Sequence, residues 1–503
     1  MDAQGQSLLH YVCEYGIKSH EQYLLKEGAD NDLKDKNNVT PLDIARNRPT
    51  LNTHQEVLEN VQRIATHETL TVEGVGAAAV LKENKDIIKG VNQVMTLVQR
   101  EFPEELTFTH HLSGSVSEDT KSGHPDEFDF ICALKIKVKH WYRDEYEYVE
   151  VFEAKDLDVK QTGTKKNFVC IECPYNYEQY RGEWRRTGYD RYTCLDYVKL
   201  CADFNKHLIA AVEQLKLKQL PNNLYIYREV RVNNFIPTLY LKWRGKELKD
   251  LTISVDIVPT LKLKQKVGPF HDDSLNENIK DILGVKYAGD VFAVAKASGF
   301  DDMRYHMRLT FSDIETKLIS SVPLYCRLAY ILLKSLRHPG IYKPQTRKDG
   351  VKIKTEDDLP SYTIKTCLMF VLEEEGLIPE EASGRPEDAT TDIVTYIQEH
   401  HTQITDIAAK VIHRIKNNLT TLGGVPNFFN RTYDILFGYS LAGDYNVKKI
   451  NVDGPRNDRK ERILKFCDFV DESLTSGQVE IKTLLFDDQG HQSSADVHVC
   501  SQE

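Results

Sequence analysis

A strand that carries carboxylates on one face and phenylalanines on the other can bury only one side, and residues 127–134 have that pattern. In Glu127-Phe128-Asp129-Phe130-Ile131-Cys132-Ala133-Leu134, successive side chains point to opposite faces. Glu127 and Asp129 therefore share one face, and Phe128 and Phe130 the other. Upstream lie Gly114 and Ser115, flanked by Ser113 and Ser117, and then Gly123 and Pro125, residues suited to tight turns. Backbone N–H groups in such a turn can cradle phosphate, and two hard oxygen ligands on a rigid strand suit magnesium. A second strand adds a third acid. Between Leu251 and Pro259, the residues Ile253, Val255 and Ile257 form an apolar face, which leaves Asp256 on the other face with Thr252 and Ser254. Three carboxylates on neighbouring strands can hold two divalent ions, one activating a hydroxyl and one steadying a triphosphate. Glu127, Asp129 and Asp256 are thus the expected catalytic and metal ligands, with magnesium as the expected ion and manganese as its substitute.

The order Gly114-Ser115, then Glu127-x-Asp129 after 127 − 115 = 12 residues, then Val255-Asp256 in a later strand, resembles the nucleotidyltransferase core of the cyclic GMP-AMP synthase-like receptors, in the Mab group of nucleotidyltransferases. Two further segments extend the likeness over roughly residues 75–440. Met307 to Glu315 is similar to the segment with which that family enters its helical lobe, and Pro360 to Thr366 to its serine-tyrosine nucleotide contact. The resemblance implies a cyclic dinucleotide synthase of innate immunity that joins two nucleoside triphosphates, ATP and GTP or others, and releases pyrophosphate. It further implies that Gly114 and Ser115 hold phosphates, that Ser361 and Tyr362 contact the nucleotide, and that Arg308, Thr310 and Ser312 read the second base. Two residues after Asp256, where guanine-reading members carry threonine, this chain has Val258, which offers no hydrogen bond. The chain also passes through Ser320-Ser321-Val322-Pro323 without the His-Cys-Cys-Cys zinc loop of the family's DNA sensor. No zinc is expected, and double-stranded RNA, read by shape, is a better expected activator than double-stranded DNA. The rival reading is a catalytically inactive scaffold of the same fold. An oligoadenylate-synthase-like polymerase fits less well, because the Arg308 to Glu315 and Ser361-Tyr362 segments resemble the cyclising group.

At 503 residues the chain exceeds what one core usually organises. The expected fold is α+β, a bilobal core with a mixed, largely antiparallel sheet and helices, followed by a helical lobe and preceded by a short ankyrin-like segment. The expected divisions are 1–50, ankyrin-like; 51–75, linker; 76–310, nucleotidyltransferase core; 311–466, helical lobe; and 467–503, acidic tail. The ankyrin likeness rests on Gly5 to His10 recurring as Asn38 to Asp43, an offset of 42 − 9 = 33 residues between Leu9 and Leu42. One repeat and a fragment cannot bury a solenoid core, so this segment is expected to pack on the main body or contact another protein. The period of Leu81 to Val98 predicts an amphipathic helix, whose Lys82, Lys85 and Lys89 read from charge alone as a solvated face; the family resemblance implies a lobe-linking helix here whose basic residues touch the activating nucleic acid, a role these three could take. Residues 140–192 mix aromatic, basic and acidic side chains, which suits either extended surface structure or nucleic-acid contact. Helices are expected over Thr193 to Leu217, Ile314 to Leu318, Leu324 to Leu336, Tyr362 to Leu372, Ala389 to Glu399 and Ile404 to Leu419. Gly340 to Asp358 reads as a basic loop.

The net charge of −11 leaves only local patches for a polyanion. Ten scattered cysteines, several in apolar runs, read as reduced thiols, and Cys170-x-x-Cys173 with Cys194 and Cys201 is a weak zinc pattern. The most apolar stretch, Leu318 to Leu333, contains Arg327 and is too short to span a bilayer, and no signal pattern opens the chain. A cytoplasmic protein without a membrane partner is expected.

Overall fold

The structure, a computed structural model, describes residues 7, 9–10, 24, 29–30, 32–36, 38–46, 75–121, 125–139, 146–152, 154–156, 168–171, 185–187, 193–264 apart from 219, 222, 234 and 247, 290–295, 307–337, 342, 345–346, 352–379, 396–397, 399–429, 431, 434–436 and 455–475. It is an α+β fold. Among the described residues, twelve strands form one mixed, curled sheet, and helices pack on it. The labels used below are α1 (Val75–Arg100), β1 (Leu106–Ser113), β2 (Glu127–Lys139), α2 (Tyr197–Lys216), β3 (Ile236–Trp243), β4 (Leu251–Leu263), β5 (Phe292–Ala295), β6 (Met307–Thr310), α3 (Ser312–Ser321), α4 (Leu324–Leu336), α5 (Ser361–Glu374), α6 (His401–Thr421) and α7 (Pro455–Thr475).

Strand β4 is the spine of the sheet. It pairs in parallel with β2, antiparallel with β3 along its first half, and antiparallel with β5 at its far end. Strand β1 runs antiparallel to β2 on the outer side. The alternation read in the sequence holds, since Phe128, Phe130, Val255 and Ile257 are all fully buried. Helix α1 covers that apolar face. Its residues Ile87, Val91, Val94, Met95 and Val98 are buried, and Gln99 meets His110 at 3.1 Å, whose ring lies 5.7 Å from Phe130. Lys82, Lys85 and Lys89 are exposed on its opposite side.

Three local expectations are corrected. The segment 193–217 is not one helix: Thr193–Leu195 is a strand, and α2 begins after Asp196, whose carboxylate accepts the N–H of Lys199 at 3.2 Å and caps the helix. The expected start of the acidic tail at 467 falls inside α7, because Phe466, Cys467 and Val470 form an apolar face that is buried. Helices α3, α4, α5 and α6 lie where the apolar periods put them. Buried apolar side chains from Ile87 to Val470 form one connected cluster, so the core runs across the strand-to-helix junction at 310/311. The expected loop at 340–358 is partly regular, since Gln345–Thr346 pairs antiparallel with Lys352–Ile353 and Thr355–Asp358 is helical. Of the expected helix at Ala389 to Glu399, most lies outside the described residues, as do most of 140–192, the linker 51–74, Lys343, Arg347 and Lys348 of the basic segment, and residues 476–503.

In the N-terminal part, Leu9, Val39 and Ile44 form a separate small core, with Leu24 and Ala29 against it. Helix Pro41–Arg46 starts on a reciprocal cap, the Thr40 hydroxyl accepting from the Asp43 N–H at 3.0 Å and the Asp43 carboxylate from the Thr40 N–H at 3.1 Å. His10 bridges Ser7, 2.8 Å away, and the Val39 carbonyl, 3.1 Å away. This unit packs on the main body. Asp35 lies 3.6 Å from Arg244 and Asp43 lies 3.4 Å from Lys249, both lysine and arginine belonging to the turn between β3 and β4. Among the described residues no single helix is long and apolar enough to cross a membrane.

Candidate functional site

The carboxylates meet because of strand register. In the parallel β2–β4 ladder Asp129 sits directly opposite Asp256, and Glu127 opposite Ser254. Adjacent strands lie about 4.8 Å apart, so the three acids occupy one patch on the face turned away from the core. Thr238 of β3, in turn opposite Asp256, donates its hydroxyl to the Asp256 carboxylate at 2.6 Å. On the other flank Ser113 pairs with Asp129, and the chain then turns at Gly114 with φ of +69°. A Cβ at Gly114 would lie 2.2 Å from the Asp129 Oδ2 atom, so only glycine lets the turn close over the carboxylate.

Electrostatics register the crowding. Burial, then the charges of Glu127 and Asp256, push the Asp129 carboxyl up to about 6, against the opposing pull of Lys121 and Lys365. Burial and Glu127 likewise raise Asp256, opposed by the Thr238 hydrogen bond. Lys121 lies 3.0 Å from Asp126 and 3.2 Å from Glu127; burial alone would depress its ammonium, but these two carboxylates outweigh it and raise it. Among the described residues no three acidic, histidine or cysteine side chains converge on one point as a finished cation cage. The reason is visible: Glu127 is turned toward Lys121 and Asp256 toward Thr238. The donor set nevertheless fits hard divalent ions. Three oxygen ligands share a patch in which the central one is driven toward its neutral form by burial and then by the charge of the others, and a cation relieves both.

Facing this patch is a cleft of about 370 Å³, lined by Gly114, Ser115, Glu118, Lys121, Glu127, Asp129, Tyr330, Lys334, Arg337, Ser361, Tyr362 and Lys365. Its far wall is helical. Ser361 and Tyr362 open α5, and Tyr330 and Lys334, one turn apart, project from α4 with Arg337 just beyond it. Lys365 is buried between Glu118 at 2.9 Å and Glu315 at 2.7 Å, which hold its ammonium raised although burial opposes them. The Tyr362 hydroxyl donates to Glu315 at 2.9 Å and accepts from Asn427 at 3.1 Å, while Lys365 lies 5.3 Å from its ring centre. Burial, then the charge of Glu315, push the Tyr362 phenol well up. Lys334 donates to the Thr120 carbonyl at 2.8 Å, and burial together with Lys121 and Arg337 depresses its ammonium to about 7.

Of the residues singled out in the sequence, Gly114, Ser115, Glu127, Asp129, Ser361 and Tyr362 come together around the cleft, and Asp256 adjoins them beside Asp129. Arg308, Thr310 and Ser312 are not among the lining residues. Arg308 pairs with Val294 in the β5–β6 ladder and its charge reaches Tyr362, while its Nε atom and the Ser312 hydroxyl are buried without a hydrogen-bond partner. Lys82, Lys85 and Lys89 lie on the far side of the sheet from the carboxylates. Of the weak zinc pattern, Cys173 lies outside the described residues and Cys201 is a buried thiol pushed up to about 12. Sequence reasoning missed Glu118, Lys121, Glu315, Tyr330, Lys334, Arg337 and Lys365. One signal was available, since Lys365 is the lone cation in the apolar run of α5 and recurs one turn after Ser361.

No protein-family model matches the chain, and no curated protein is significantly similar to it.

Proposed function

We propose that this chain is a metal-dependent nucleotidyltransferase that joins two nucleoside triphosphates into a cyclic dinucleotide, in the manner of the cyclic GMP-AMP synthase-like receptors. The observation that carries the reading is the register of Asp129 against Asp256, beside Glu127 and the Gly114 turn, across a cleft from Lys334, Arg337 and Lys365. A scaffold has no physical reason to crowd like charges in this way. Magnesium, held by Glu127, Asp129 and Asp256, would acidify an acceptor hydroxyl and neutralise the leaving pyrophosphate. The remaining roles belong to the chain. N–H groups at Gly114 and Ser115 cradle the terminal phosphates, and Lys121, Lys334 and Arg337 balance their charge. Lys365, locked by Glu118 and Glu315, ties the phosphate turn to the helix that carries Ser361 and Tyr362. That tie fixes the position of the triphosphate so that the acceptor oxygen meets the α-phosphorus in line, the bond to the β-phosphate oxygen breaks, and pyrophosphate departs.

The partners proposed with it are ATP, GTP or other nucleoside triphosphates, and double-stranded RNA rather than DNA as activator, acting in the cytoplasm in innate immunity. Lys82, Lys85 and Lys89, exposed on α1, are the proposed contacts for the activator. Val258, half-buried on the Asp256 face, speaks against guanine reading there. The N-terminal unit is proposed as an ankyrin-like packing element. The second reading, an inactive scaffold, is favoured by the Lys121–Glu127 ion pair, which supplies a cation from the chain itself.

Incubating the protein with the four nucleoside triphosphates and magnesium, with and without double-stranded RNA or DNA, and weighing the products separates the two. A cyclic dinucleotide supports the enzyme. No product under any condition supports the scaffold.

A further inference from the structure

The segment that leads into α5 is tied down almost residue by residue, and half of the ties come from α7, which lies behind it. Helix α5 starts after Pro360, and no side chain caps its first turn. Glu315 and Asn427 hold the far end of the Tyr362 ring, whereas its backbone end depends on the residues just before it. Asp358 closes the short helix Thr355–Asp358, and the Leu359 that follows is fully buried. The Arg462 guanidinium grips the Asp358 carboxylate with two prongs, Nε to Oδ2 at 2.6 Å and Nη2 to Oδ1 at 2.8 Å, and the two side chains are only 10% and 7% exposed. Arg459, also on α7, donates to the Asp358 carbonyl at 2.9 Å and to the Leu436 carbonyl at 3.1 Å. From the cleft side, Arg337 donates to the Leu359 carbonyl, and the Tyr330 hydroxyl donates to the Ser361 carbonyl at 3.2 Å. Asp358 and Arg462 are not among the residues that line the cleft, and 104 residues of sequence separate them.

Two parallel hydrogen bonds between planar groups fix orientation as well as distance, and an ammonium cannot reproduce that fork. A contact displaced by about 1 Å loses much of its worth, so a brace on the backbone at 358 can act on a ligand that it never touches. We propose that Arg462, through Asp358, is a positioning residue that aims Tyr362 at the nucleotide. The inference rests on the reading of Tyr362 as a nucleotide contact. It gives α7 a part in binding although that helix does not face the cleft: the fork holds Asp358, Asp358 sets the path of Leu359 and Pro360, and that path sets the first turn of α5.

A double-mutant cycle on the full-length chain tests this, read by the fluorescence anisotropy of a fluorescent nucleoside triphosphate in the presence of magnesium. The variants are Arg462→Lys, Tyr362→Ala and the two combined, and circular dichroism confirms that each is folded. Asp358→Asn, which keeps the shape of the carboxylate, takes the place of Arg462→Lys if that variant is unfolded. The expected result is that Arg462→Lys weakens binding about fivefold or more when Tyr362 is present, and less than about twofold when it is already alanine. A residue that merely stabilises the fold would lower affinity equally in both backgrounds. Equal losses, or Arg462→Lys or Tyr362→Ala within about twofold of wild type, overturn the positioning role. A wild type that binds no triphosphate overturns the nucleotide reading together with it. Coupled losses in a protein that yields no dinucleotide would retain the positioning role and refute the synthase.

Discussion

At the scale of single residues, Asp129 concentrates the chemistry and the cost of the site. Its carboxyl is pushed up to about 6 from an ordinary value of 3.8, so between those limits the folded chain holds a proton that the unfolded chain has released. Stability contributed by this group is therefore present below about pH 4 and lost as pH rises through about 6. Asp129→Asn removes the repulsion. Without metal at pH 7.5 it should stabilise the fold by about 1–2 kcal/mol, allowing for screening at a partly exposed group, while lowering turnover at least about a thousandfold. Urea denaturation and a product assay read the two effects, and a variant that is both less stable and active contradicts the assignment. Because proton and cation compete for the same oxygens, magnesium should raise the melting temperature clearly at pH 7.5 and little at pH 5. A pH-independent shift, measured by scanning calorimetry, would place the ion elsewhere.

At the scale of elements, the site is a joint between a sheet and a helical wall, and Lys365 is the bolt. Lys365→Met keeps the volume but leaves Glu118 and Glu315 facing each other without a cation, which should cost about 3–5 kcal/mol and loosen Tyr362. Chemical denaturation checks the magnitude, and a change below about 1 kcal/mol would mean that the network carries no strain. Gly114→Ala drives a methyl group into Asp129 at a positive φ and should abolish activity with a smaller loss of stability, about 1–3 kcal/mol. Much of the strand side of this joint was legible in the sequence. Alternation at 127–130 and 253–257 fixed which side chains share a face, and the glycine at 114 marked the turn. The pairing of Asp129 with Asp256 was not legible, because periodicity says nothing about which residues of two distant strands lie opposite each other. The cationic wall was partly hidden for a related reason: Lys334 and Arg337 look like the polar margin of a helix until α4 is packed against the turn, whereas Lys365 stands out as the lone cation in the apolar run of α5. The segment around Arg308 shows the converse, since a motif matched in order did not by itself put its side chains on the cleft.

At the scale of the whole molecule, the core is continuous from α1 to α7, and the small N-terminal unit is an attachment held by ion pairs. The ion pairs of Asp35 and Asp43 land on the turn joining β3, which supplies Thr238, to β4, which supplies Asp256. Arg244→Glu should speed amide exchange of Val39 and Thr40, whose N–H groups are held by Asp35 and Asp43, and leave the main-body strands unchanged. Exchange mass spectrometry showing equal acceleration in β4 would instead make the unit integral to the core. The most direct test of the central claim is a manganese titration of the full-length protein with a non-hydrolysable nucleoside triphosphate, followed by electron paramagnetic resonance. Wild type is predicted to bind two ions per chain, with Asp129→Asn and Asp256→Asn each losing at least one. Unchanged ion binding in both variants would contradict a metal-dependent nucleotidyltransferase built on these carboxylates.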